Sequence, residues 1–417
     1  MKRLLQIAHV FPPAPSPGAL RPGYLSRYLP NFGWDVVTVT ASAGTTPFPA
    51  RVISTAAPSN GLEERLRARV AARSASPDAP LRRFLRAAKE NVLFPDTTAP
   101  WIPGALRAGM ELLEREHFDA ILSTAHPPSV HVIGWLLARK SGLPWIADYR
   151  DPWAGNAYLK RPLLRQLAEE FLERGMIHRA NAVTTISEPI AAQLRRFHRR
   201  RDVYVIPNAF DPADWAQIPS VAPSRFDLTF TGSMYDGKRS PALLFAALES
   251  LRREGHPAGM EARVHFYGPN SDNVGTCAAE YNVSLIVRQH GVVPRQSAMR
   301  AQRSSAGLLI FLNMDPLTAG EMGSKYLEYL GAQRPILAFG PQSSVMRSFI
   351  ERNDAGWFAS DVEEAKRALV AAHENYTRGT WRQLADTAEA PTAHSMAFRF
   401  AELLDRAAPS ADLERAV

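Results

Sequence analysis

One cysteine in 417 residues, Cys277, leaves no partner for an internal disulfide, so a reducing compartment is the natural setting. Long apolar runs are missing too: no stretch approaches the ~20 residues that a membrane-spanning helix needs. The opening MKRLLQIAHVFPPAPSP holds a short apolar run that contains His9 and meets a proline cluster, not a small-residue cleavage site. It reads as a first β-strand. No Gly-x-x-x-x-Gly-Lys-Ser/Thr spacing occurs, which excludes a P-loop. Nor does Gly-x-Gly-x-x-Gly follow the first strand, which counts against an ordinary dinucleotide enzyme. Nucleic-acid modules are absent, and aromatic residues do not interleave with the basic runs, so no nucleic-acid partner is expected.

What is present is an ordinary soluble composition, 46% apolar and 22% charged, with a formal net charge of +8. At about 150 residues per domain the length suggests two or three domains. The positive balance favours an anionic partner, against the alternative of a plain arginine-rich composition. Residues 4–10 form a strand, a helix and a turn at 31–33 follow, and a second strand runs over 35–40. That β–loop–α–β unit starts a parallel sheet. Residues about 51–115 read as an inserted basic helical segment on the surface; 51–90 holds nine Lys/Arg against four Asp/Glu. Strands at 118–124, 144–153 and 180–187 then alternate with helices at 131–142, 161–178 and 188–197. The turn-rich stretch 206–222 reads as a hinge. The second half, 223–390, repeats the logic with strands at its start and at 261–270, 284–293 and 304–312. The end, 391–417, contains a periodic helix over 394–406. The fold class is therefore α/β, with two Rossmann-like halves of similar size.

In open parallel sheets ligands sit beyond the C-terminal ends of strands, where helix N-termini point positive. Four places qualify. Gly18 and Arg21 open the first helix and suit an anionic group, with a simple turn as the equal alternative. Gly232 ends a strand, and Lys238 and Arg239 precede a helix. Two cations there oppose the helix dipole unless an anion joins them, although a solvated loop is also open. Asp148, Arg150 and Asp151 end another strand, as substrate contacts or as a structural ion pair. Ser324 and Lys325 start a helix whose next turn carries Glu328. The bland reading is a surface pair worth a few tenths of a kcal/mol. The sharper one gives Lys325 a phosphate and Glu328 a sugar diol, because a carboxylate accepts two hydroxyl hydrogen bonds. His126 is the spare general-base candidate, with an ordinary turn histidine as the alternative.

Several of these segments carry a resemblance. VIPNAFD (205–211), FTG (230–232), HGVV (290–293) and SKYLEYLGAQRPILA (324–338), set in two α/β halves, resemble the family 4 glycosyltransferases of GT-B fold. DYRDPW (148–153) and the FPP…YLPNFGW opening resemble a bacterial subgroup. The resemblance implies two domains facing across a cleft, with the C-terminal helix crossing back to the first. It implies retaining transfer of sugar from a nucleotide-sugar to a lipid-linked or cell-envelope glycan, with no cofactor or metal. Gly18, Gly232, Lys238, Arg239, Ser324, Lys325, Tyr326 and Glu328 fall at donor-binding positions, and Val292 and Val293 at the base loop. Arg21 and Asp148 fall on the acceptor side; Glu321, Arg150, Asp151 and His126 fall near the chemistry. Three departures stand out. Glu321 and Glu328 are separated by six residues where the family has seven; Ser233 stands where the family often has arginine; Arg150 stands where many relatives have histidine. Arginine does not deprotonate, so it suits anion or hydroxyl binding better than acid–base work. The basic 51–90 segment and LRRFHRRRD (194–202) suit a cytoplasmic enzyme at the anionic inner face of a membrane. The alternatives are a donor-binding scaffold without catalysis and another GT-B enzyme such as a nucleotide-sugar epimerase.

Overall fold

The computed structural model describes residues 1–14, 16–42, 44–46, 48–55, 93–154, 161–235, 238–314, 325–379 and 391–408. The chain divides into two compact units: Met1–Asn208 with Ala393–Val417, and Ala209–Thr392.

Unit 1 is built on a seven-stranded sheet in the order β3-β2-β1-β4-β5-β6-β7, parallel throughout. The strands are β1 (Lys2–Ile7), β2 (Trp34–Thr40), β3 (Arg51–Ser54), β4 (Ala120–Ala125), β5 (Trp145–Tyr149), β6 (Ala182–Thr185) and β7 (Val203–Val205). Between them run α1 (Pro17–Tyr28), α2 (Ile102–Arg115), α3 (Ser129–Ser141), α4 (Leu163–Ile177) and α5 (Glu188–His198). Strands buried on both faces read as continuous apolar runs, and here Leu5, Ile7, Val37, Val39, Ile121 and Ala147 share one cluster with Trp101 and Leu137. Two ends of the expected 51–115 insertion belong to this body instead. Residues 51–54 extend the sheet as its edge strand, and α2 buries Ala105, Gly109 and Leu112. Its middle, 56–92, lies outside the described residues.

The last helix, α14 (Ala393–Ala407), also belongs to unit 1. Its Phe400 is buried under the Arg21 guanidinium, 5.0 Å from the ring centroid, and its Asp405 accepts from Lys2 Nζ at 2.8 Å and Trp34 Nε1 at 3.2 Å.

Unit 2 carries a six-stranded parallel sheet in the order β10-β9-β8-β11-β12-β13. These are β8 (Asp227–Thr231), β9 (Arg263–Tyr267), β10 (Val287–Gln289), β11 (Gly307–Phe311), β12 (Ile336–Phe339) and β13 (Gly356–Ala359). The helices are α6 (Pro212–Trp215), α7 (Ala242–Arg253), α8 (Pro257–Glu261), α9 (Asp272–Glu280), α10 (Arg295–Ser304), α11 (Lys325–Ala332), α12 (Val345–Arg352) and α13 (Val362–Thr377). Alternate side chains of β11 feed two cores: Leu309 and Phe311 on one face, Leu308 and Ile310 on the other. The expected strand 284–293 shrinks to three residues, because Ser284–Ile286 forms a 3₁₀ turn that leaves Leu285 exposed.

Strand order reverses between β1 and β4 in the first sheet and between β8 and β11 in the second. Such switch points open a crevice at the strands' C-terminal ends. Behind the first lies a buried ion pair. Asp148 on β5 accepts from Arg21 Nε at 2.9 Å and Nη2 at 2.8 Å, and from the hydroxyls of Thr124 (2.6 Å) and Thr184 (2.7 Å). Arg21 also donates to the carbonyls of Ile206 and Pro207. Burial would push the Asp148 carboxyl up, but Arg21 and the two threonines outweigh it and hold it below its ordinary value. Removing one partner of such a pair strands the other charge, at a cost of about 3–5 kcal/mol. Asp148→Asn is therefore expected to lower the stability of unit 1 in urea by that amount, while Asp151→Asn, at an exposed position, changes it by less than about 0.5 kcal/mol. Equal midpoints for the two variants would show that the pair does not hold the unit.

Candidate functional site

In unit 2 the switch point is occupied by α11 and the end of β8. The Tyr329 phenol accepts from the Thr231 N–H at 3.1 Å and donates to the Leu309 carbonyl at 3.1 Å, which fixes α11 against β8 and β11. One turn earlier on α11, Lys325 lies across Gly232. A Cβ on Gly232 would stand 1.7 Å from Lys325 Nζ, and the backbone there has φ +127°, which side chains rarely adopt. The Lys325 ammonium also sits 5.5 Å from the Phe230 ring centroid. Burial, with the nearby Arg239 cation, pulls its pKa down to about 8, and Glu328 only partly restores it. Arg239 is half-buried with its guanidinium 4.5 Å from the Tyr235 ring centroid, and burial lowers its pKa as well. Lys238 is exposed beside it. Two desolvated cations thus share one strand end, an arrangement that an anion would stabilise.

Glu328 turns to the neighbouring helix. Its carboxylate accepts from Gln302 Nε2 at 3.3 Å and lies 3.6 Å from Arg295 Nε, while Arg295 pairs with Asp214 at 3.0 Å. Gln302 also donates to the Thr231 hydroxyl at 2.9 Å. The expectation that Lys325 and Glu328 lie side by side on one helix is thus refined: Lys325 reaches over Gly232, and Glu328 reaches toward α10. Val292 is exposed and Val293 half-buried in the loop after β10, whose Gly291 carbonyl accepts from the Gly268 N–H at 2.9 Å. Tyr326 is expected at a donor-binding position. It is buried edge-on against Phe349, with ring centroids 4.9 Å apart, and burial raises its phenol to about 12. Its place is in the core beneath the site. Glu321 and Ser324 lie outside the described residues.

In unit 1 the corresponding strand ends are tied together by Arg150. Its Nε donates to the Ala125 carbonyl at 2.5 Å, Nη1 to the Gly18 carbonyl at 2.6 Å and Nη2 to the His126 carbonyl at 3.0 Å. A Cβ on Gly18 would lie 2.9 Å from Arg150 Nη1, so the glycine admits the guanidinium. Arg150 therefore ties the loop after β4 to the first turn of α1, and three of its N–H groups are committed to backbone. That arrangement gives Arg150 a positioning part here. Arg21 and Asp148, expected on the acceptor side with a structural ion pair as the alternative for Asp148, are both buried and bonded to each other. Asp151 is exposed and His126 half-buried beside it. Burial lowers the His126 pKa, Asp151 opposes that, and Arg150 adds to it, so the imidazole is neutral near pH 7.

Three participants escaped the sequence reading. Arg295 opens α10 just after the HGVV loop, and a cation at a helix start was the usable signal. Gln302 and Tyr329 gave none, because their partners are 71 and 98 residues away.

Residues 23–214 match the family model described as Glycosyltransferase Family 4. No curated protein matches the chain in sequence. Solved structures do match its shape over nearly its full length. Sucrose-phosphate synthase from Thermosynechococcus elongatus aligns with a TM-score of 0.63 and 14% identity, over 97% of this chain and 99% of that one. HepE from Anabaena, solved in complex with UDP, aligns with a TM-score of 0.63 and 13% identity, over 97% and 100%. WaaG, a glycosyltransferase involved in lipopolysaccharide biosynthesis, aligns with a TM-score of 0.61 and 13% identity, over 96% and 99%. Two parallel α/β units of seven and six strands, matched end to end by these structures, make this a GT-B fold.

Proposed function

We propose that the chain is a glycosyltransferase that holds a nucleotide-sugar in unit 2 and passes its sugar, with retention of configuration, to a lipid-linked or cell-envelope glycan on the cytoplasmic side of a membrane. The observation that carries this reading is the desolvated Lys325 ammonium laid over Gly232 beside Arg239. A diphosphate placed there would gain both cations and the positive N-terminal end of α11. Glu328, half-exposed with only part of its lone-pair capacity used by Gln302 and Arg295, is left to accept the ribose hydroxyls. The backbone of the 290–293 loop would meet the base.

On this reading the side chains of unit 2 balance the charge that develops on the leaving nucleoside diphosphate. The acceptor hydroxyl attacks from the face the diphosphate leaves and gives its proton to a phosphate oxygen. Arg150 keeps the acceptor-side loops in shape without touching substrate. Neutral His126, with Asp151 beside it, is placed to orient a hydroxyl. No metal or cofactor is part of the proposal. Residues 23–214, the part that matches the family model, include His126, Arg150 and Asp151.

The test is a panel of UDP-, GDP-, ADP- and dTDP-sugars read by thermal shift, followed by turnover assays with the one that binds. One nucleotide should raise Tm, and Glu328→Ala should remove at least about 1.4 kcal/mol of its binding, a tenfold rise in Kd. A shift with no nucleotide would sink the donor site, and binding without turnover would leave the scaffold reading in its place. Gly232→Ala should weaken the same nucleotide at least as much, since the methyl displaces Lys325.

The pH dependence has a definite sign. Lys325 titrates at about 8 in the empty protein, against an ordinary 10.5, and a bound diphosphate raises it. Binding then takes up a proton above pH ~8, so affinity should fall with rising pH by at most about one log unit per pH unit. Lys325→Met should be flat in that range; an equal slope in the variant would place the titrating group elsewhere. For the empty protein the unfolded chain binds more protons between pH ~8 and ~10.5, so this group's contribution to stability increases with pH there.

A further inference from the structure

Helix α4 is built inside out. Four large apolar residues point to solvent: Leu163 is 69% exposed, Leu164 81%, Leu167 52% and Phe171 84%. Their spacing of one, four and eight residues places them on a single face. The opposite face, turned inward, carries two carboxylates. Glu169 is buried and paired with Arg161 and Arg165; Glu173 is buried and accepts from the Ala154 N–H at 2.8 Å, with His198 close by. Chains normally bury leucine and phenylalanine and leave glutamate in water. A helix that does the reverse, and keeps its apolar stripe contiguous, has a surface shaped for something other than water.

The surroundings of the stripe say what. It runs into a shallow groove lined by Leu167, Glu170, Phe171, Arg174, Gly175 and His178. The C-terminal end of α4 packs on α5: Arg174 lies 4.8 Å over the Phe197 ring, and Arg200 donates to the carbonyls of Ile177 and Ala180. That contact brings a cationic rim alongside, with Arg174, Arg179, Arg196, Arg199 and Arg201 all exposed. From Arg174 to Arg201 the only acidic residue is Glu188, which is paired with Arg195. Glu170, half-buried at the edge of the stripe, is the one carboxylate on this side of α4.

We infer that α4 and the end of α5 form a docking surface for an anionic lipid bilayer: the leucines and Phe171 enter the headgroup–acyl boundary, and the arginine rim meets the negative headgroups. An apolar face beside a strongly basic one is the pattern of an interfacial helix. A second copy of this chain would set one positive rim against another; the one-signed rim suits an anionic lipid surface instead. The inference deepens the acceptor side of the proposed function and rests on that reading only in naming what the membrane carries.

The experiment is cosedimentation of the full chain with vesicles of phosphatidylcholine alone and of phosphatidylcholine mixed with phosphatidylglycerol. Wild type should pellet with the mixed vesicles, only weakly with the neutral ones, and less as salt rises. Leu164→Asp/Phe171→Asp and, separately, Arg196→Glu/Arg199→Glu should each lower binding by about tenfold or more. Leu285→Asp, at a leucine 99% exposed in unit 2, should not. Every changed side chain is exposed, so melting temperature and nucleotide binding should hold in all variants. Absence of binding by wild type, or binding unchanged in the α4 variant, would overturn the inference. So would a wild-type dimer in sedimentation velocity that Phe171→Asp dissolves, which would make the face a subunit interface. Vesicle binding without nucleotide binding would sink the donor site and leave the docking surface standing.

Discussion

Arginine donating to backbone carbonyls is the interaction on which the strand-end loops of this molecule depend, at the C-terminal ends in unit 1 and at the N-terminal ends in unit 2. A guanidinium offers five N–H groups in a rigid plane, enough to gather several carbonyls that sit in loops and have no ladder partner. Arg150 gathers those of Gly18, Ala125 and His126; Arg21 takes those of Ile206 and Pro207 as well as Asp148. In unit 2 Arg334 joins the carbonyls of Val221, Arg303 and Ser305, and Arg303 joins those of Trp215 and Ile218. Loops at the ends of parallel strands are long and non-repetitive, and these cations supply the cross-links that a sheet cannot.

This use of arginine changes the meaning of the net charge. A guanidinium satisfied by carbonyls needs no carboxylate, so it adds to the formal balance of +8 without presenting a cation to solvent. Part of the positive excess is therefore architectural. Of the part that faces outward, two groups bear on the candidate site and on the α4–α5 surface: Lys238 near the end of β8, with half-buried Arg239 beside it, and the run around Arg196–Arg201. A count of charges could not separate the two uses, because both come from the same residue type.

The same distinction shows what the sequence could and could not tell. Strands such as 118–124 and 180–187 were legible because burial on both faces leaves an unbroken apolar run. Gly18, Gly232 and Lys325 were legible because strand-end loops follow a general rule. Asp148 is legible as a substrate contact or as half of an ion pair, but its partner Arg21 lies 127 residues away and only the fold brings them together. Strand β3 was hidden in an arginine-rich stretch, where four residues carry too little pattern. Helix α4 was visible as a helix, but periodicity does not say which face turns inward. Glu169 meets Arg165 one turn away on α4 itself, but Glu173 finds the Ala154 amide only once β5 and the turn after it are in place.

The return of α14 to unit 1 has a consequence for how the chain is made. The strands that begin the first sheet are finished early, but Phe400 and Leu404, buried in that same unit, are synthesised only after all of unit 2. Unit 2 is thus an insertion between two parts of unit 1, contiguous in sequence and free to close on its own. During translation the second unit to begin is the first that can be completed, and the Arg21 guanidinium must wait for the Phe400 ring that covers it.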